Sequence, residues 1–102
     1  MQIFLSFMIL EMPCEDIPLY NWMESIVCAI ESQDMRRFST SYIAIRNISS
    51  KLPQRDSSRL TANYILNQSV LGVNEHIPED IRQGAAIEAR RAFNNLPIPN
   101  LI

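Results

Sequence analysis

Between Leu19 and Leu52 apolar residues recur at three- and four-residue steps, with one break, and this pattern constrains the chain more than any other feature. Leu19, Trp22, Met23, Ile26 and Ile30 fall on one face of a 3.6-residue helix. Asp16 is placed as its N-cap, and Pro18 is tolerated in the first turn, where its missing N–H would have had no partner. Asp34 follows Ser32-Gln33 as the cap of a second helix. Met35, Phe38, Tyr42, Ile45 and Leu52 form a heptad-like seam there, with Ser49 in the remaining place. Ile43, Ala44 and Ile48 widen that face, and Pro53 ends it. The expected unit is a helix hairpin.

Charge divides along the same break. The ionised residues before Met35 are Glu11, Glu15, Asp16, Glu24, Glu31 and Asp34, all acidic. From Met35 to Arg59 they are Arg36, Arg37, Arg46, Lys51, Arg55 and Arg59 against Asp56 alone. An acidic helix folded on a basic one is expected to match charges along its rim. Exposed pairs contribute only ~0–1 kcal/mol each, so apolar burial has to dominate stability while charge selects the pairing.

A chain of 102 residues can bury a core as one domain without staples. Only two glycines, Gly72 and Gly84, are present, too few for the tight turns of an all-β domain. The fold class expected is all-α: a small four-helix, bundle-like single domain over 1–102. An apolar and connector segment over 1–18 precedes the bundle, and an extended apolar tail over 97–102 follows it.

Met1–Leu10 is almost wholly apolar but too short to cross a bilayer as a helix, and it lacks the basic start and small-residue cleavage site of a signal peptide. Three readings stay open for it: an extension packed on the bundle, a segment covered by a partner, or an over-extended start with the true one at Met8 or Met12. Pro13 and Pro18 prevent regular structure between them. A third helix is capped by Asp56, Ser57 or Ser58, with Leu60, Tyr64, Ile65, Leu66, Val70 and Leu71 on its apolar side and Asn63, Asn67 and Gln68 facing outward or bridging. Gly72 suits a left-handed closing residue for it. Pro78 begins a fourth helix, with Glu79 and Asp80 early and Arg90 and Arg91 late, as the helix dipole favours. Its inward stripe is Ile81, Ala85, Ala89, Ala92, Phe93 and Leu96.

Chemistry is sparse. Adjacent acids such as Glu79/Asp80 diverge on a helix, His76 has no companion histidine, and no G-x-S-x-G or Ser-x-x-Lys motif occurs. Two isolated glycines cannot cradle a phosphate. Cys14 and Cys28 are not spaced as a metal or redox pair; Cys28 reads as a small core residue, in a reducing compartment. No catalytic residue, metal or cofactor is therefore expected, and the chain is not read as an enzyme.

The remaining expectation is a cytoplasmic, non-enzymatic interaction module, a regulator, adaptor or accessory subunit with no transmembrane segment. It would act through helix surfaces and apolar termini on a protein partner, on a second copy of itself, or on both. The alternative is a nucleic-acid-binding regulator. Its contacts, or those to a protein partner, would be Arg36, Arg37, Arg46, Lys51, Arg55 and Arg59, with Ser39, Thr40 and Ser41 as phosphate-contact types. Against that alternative stands the acidic whole, net −2 with a pI near 5.3.

Overall fold

The computed structural model describes residues 16–97, and they form four helices with no strand among them. These are α1 (Asp16–Ser32), α2 (Met35–Ser49), α3 (Ser57–Val73) and α4 (Glu79–Asn94). The apolar segment 1–10 and the tail 98–102 lie outside the described residues.

α1 is the element the others enclose. It packs on all three, whereas α2 and α4 do not touch and sit on opposite flanks. Leu19, Met23, Ile26, Val27, Ala29 and Ile30 of α1 are buried, and Ile26 and Val27 are fully so. Ile45 from α2, Ala62, Ile65 and Leu66 from α3, and Ala89 and Phe93 from α4 complete the core. Trp22, Phe38, Tyr42, Ile48 and Leu52 pack against its edge, half-buried. Burying an Ile or Leu side chain stabilises by about 1.5–3 kcal/mol, so this cluster outweighs every polar contact described below.

Helix ends follow local chemistry. The Asp34 carboxylate accepts the Arg37 N–H at 3.1 Å, and the Asp56 carboxylate accepts the Ser58 N–H at 2.8 Å, so both expected caps form. Pro78 precedes Glu79 at the start of α4. Asp16, expected as a cap, is instead the first helical residue.

The closing residue is not a glycine. Gly72 lies inside the last turn of α3 with a negative φ, buried against Ile30; Asn74 caps that helix. The left-handed position belongs to Gln33, at φ 58°, between α1 and α2. There the Asp34 N–H donates to the Ala29 carbonyl at 2.9 Å, the six-to-one bond of a Schellman closure. Gln33 adopts this backbone because its side chain is used: Nε2 donates to the carbonyls of Ile30 at 2.8 Å and Gly72 at 3.2 Å.

Several apolar residues expected inward face solvent. Met35 and Ile43 of α2, Leu60, Tyr64, Val70 and Leu71 of α3, and Ile81 of α4 are exposed. In α3 the inward face is Ala62, Ile65, Leu66, Ser69 and Gly72. Small residues share that inner side with Ile65 and Leu66; a Cβ added at Gly72 would lie 3.6 Å from the Ile30 Cβ, an ordinary contact. Ser69 is accommodated by donating to the Ile65 carbonyl at 2.6 Å, so its buried hydroxyl is satisfied within the helix.

Candidate functional site

The expected rim of ion pairs between α1 and α2 does not form among the described residues. Arg37 Nε donates instead to Ser25 Oγ at 2.9 Å, and the buried Ser41 donates to the same oxygen at 3.0 Å. Among the described residues, the ion pair that joins two helices runs from α1 to α4, between Glu31 and Arg90. Arg90 Nε and Nη2 meet the two carboxylate oxygens at 2.9 and 2.7 Å, and its charge lies 5.9 Å from the Phe93 ring centroid. Hydrogen bonding from Arg90 holds the Glu31 carboxyl below its usual range, burial opposing it in part. Cys28 is half-buried rather than part of the core, with Arg90 Nη2 3.7 Å from its sulfur.

The six cations flagged from sequence do not make one surface. Arg36 and Arg37 are adjacent on the first turn of α2 and diverge; Arg37 turns back to α1. Lys51 and Arg55 are exposed in the connection between α2 and α3. Only Arg46 and Arg59 come together, on a groove between α2 and α3 of about 760 Å³. Arg59 is held there because its Nη1 donates to the Leu52 carbonyl at 2.7 Å, tying the start of α3 to the chain leaving α2.

Tyr42, Ile43, Asn47, Ser49 and Ser50 of the α2 side and Asn63, Leu66 and Asn67 of α3 complete the groove. Among the described residues no carboxylate lines it. Asn63 and Asn67, four residues apart, share one face of α3 and present amides that both donate and accept. Their polar flank was readable in the sequence, but the groove required knowing that Leu60 and Tyr64 are exposed rather than packed in the core. A second depression of about 430 Å³, where α1, α3 and α4 meet, mixes Glu31 and Glu79 with Arg82 and has no such bias.

Among the described residues no cluster of His, Cys, Asp and Glu could hold a metal ion, and no helix is long and apolar enough to cross a membrane. His76 is exposed in the connection before α4. Set against protein-family models, curated proteins and solved structures, the chain finds no match in any of the three.

Proposed function

We propose that this chain is a small non-enzymatic interaction module whose α2–α3 groove receives an acidic segment of a protein partner. The observation that carries this reading is the groove's lining: Arg46 and Arg59 with no opposing carboxylate among the described residues, amides along one wall, and Tyr42, Ile43 and Leu66 as apolar lining. Guanidinium groups grip carboxylates with directional paired bonds, and the amides can follow an extended backbone. Ile43, 60% exposed, offers apolar area that the chain's own core does not use. A regulator, adaptor or accessory subunit would work through such a contact.

Nucleic-acid binding is the second reading, favoured by the same two arginines beside Asn47, Asn63 and Asn67, side-chain types that contact phosphates and base edges. It is weakened by the dispersal of the other four cations.

Backbone chemical-shift mapping separates the two. A peptide alternating Glu and Leu should give saturable shifts at Tyr42, Arg46, Asn63 and Asn67 that Arg46→Glu removes. If duplex DNA or single-stranded RNA produces those shifts instead, with affinity falling steeply as salt rises, the second reading replaces the first. Shifts elsewhere, or none with either probe, overturn the groove as the site.

A further inference from the structure

On α4, the side turned away from the core carries Asp80, Gly84, Ile87 and Arg91, all exposed. Steps of four, three and four residues place them in one stripe along the helix. The buried residues Ala85, Ala89 and Phe93 occupy the opposite side. The stripe reads acid, no side chain, large apolar, base, and its spacing is the same in both directions. Turned end over end about its midpoint, between Ala85 and Ala86, it meets itself with Asp80 opposite Arg91 and Gly84 opposite Ile87.

We propose that α4 pairs antiparallel with α4 of a second copy about a two-fold axis at this midpoint. Ile87, 60% exposed, packs onto the partner helix at Gly84, where a Cβ would meet no heavy atom within 4 Å. The missing side chain lets the two backbones approach, and symmetry makes the contact twice. Asp80 and Arg91 close both ends, about 16 Å apart along the axis. Arg91 rests on Glu88 of its own helix, Nη1 to Oε2 at 3.1 Å, and is 64% exposed, so its guanidinium is already on the outer face. A parallel pairing would set Asp80 on Asp80 and Arg91 on Arg91, which fixes the orientation. One stripe on a helix about 24 Å long is a small contact beside the ~1,200–2,000 Å² of stable complexes, so the dimer is a weak, concentration-dependent one. The surface is separate from the α2–α3 groove and does not depend on its occupant.

Sedimentation velocity of the full chain from low to high micromolar concentration tests this, with circular dichroism confirming that each variant stays helical. Wild type should show a concentration-dependent dimer. R91E and D80R should each raise its dissociation constant by about tenfold or more, because each creates two like-charge contacts per dimer and tenfold corresponds to only ~1.4 kcal/mol. The double variant D80R/R91E should self-associate like wild type, and an equimolar mixture of the two single variants should form a heterodimer. A wild-type chain that remains monomeric at high micromolar concentration overturns the proposal. So does a dimer indifferent to either reversal, or a double variant that fails to recover.

Discussion

Arg90 on α4 binds both carboxylate oxygens of Glu31 on α1, a paired contact between helices that are distant in sequence. It joins α4 to α1 with a directional contact, where the two otherwise meet through side chains such as Tyr20 on Phe93, ring centroids 4.8 Å apart. The Glu31 carboxyl is held below its ordinary 4.5 because Arg90 hydrogen-bonds the ionised form. A depressed carboxyl pKa stabilises the folded chain fully above the unfolded value, and that stability is lost as pH falls through the folded value.

Glu31→Gln should therefore cost ~0.5–1 kcal/mol near neutral pH, a modest figure because the two side chains are 40% and 32% exposed. The difference between wild type and variant should disappear as pH drops below 4.5, while Arg90 remains charged throughout. Urea melts of both proteins across that range measure it. A gap that persists unchanged in strong acid would assign the effect to packing rather than to the ion pair.

The three-and-four spacing identified α1 correctly because α1 is enclosed by helices on several sides, so nearly any apolar stripe it carries is buried. The same reasoning placed α3 only in part. Of its expected apolar side Ile65 and Leu66 are buried, but Leu60, Tyr64 and Leu71, which form a clean stripe, are exposed, and Ala62, Ser69 and Gly72 share the buried side instead. Periodicity weighs hydrophobicity, whereas close helix approach rewards small volume, and a single sequence does not reveal which will govern. The candidate groove was half visible for a related reason. Arg46 and Arg59 were evident as cations, but that both line one groove depends on which face of α3 is buried.

Truncation should test that face directly. Ile65→Ala removes a fully buried side chain and should cost on the order of 2–5 kcal/mol. Leu60→Ala, at a site 56% exposed, should stay within about 0.5 kcal/mol. Chemical denaturation of the two variants side by side gives the order, and the reverse order would put the other face of α3 inward.

Gly72→Ala should stabilise the chain by about 0.5–1 kcal/mol, because an alanine costs less backbone entropy in a helix than a glycine. Room exists for the methyl group: a Cβ would lie 3.6 Å from the Ile30 Cβ and 3.8 Å from the Arg82 carbonyl oxygen, ordinary contacts. The bond from Gln33 is kept, since it falls on the backbone carbonyl. A rise in thermal midpoint is the expected reading, whereas a glycine needed for left-handed backbone would give a clear fall.

Gln33 sets two effects against each other, and two substitutions separate them. Its φ of 58° is unfavourable for a side-chain-bearing residue, by roughly 1–2 kcal/mol relative to glycine. Its side chain returns bonds to the Ile30 and Gly72 carbonyls, each contributing ~0.5–1.5 kcal/mol in this half-buried setting. Gln33→Ala keeps the strain and loses both bonds, so it should destabilise by about 1–2 kcal/mol. Gln33→Gly loses the same bonds but releases the strain, and should lie within about 0.5 kcal/mol of wild type. Equilibrium denaturation of the three proteins measures the order. Equal losses in Ala and Gly would show that the side-chain bonds alone hold this turn. An alanine variant as stable as wild type would show that the bond to Gly72 does not join the ends of α1 and α3.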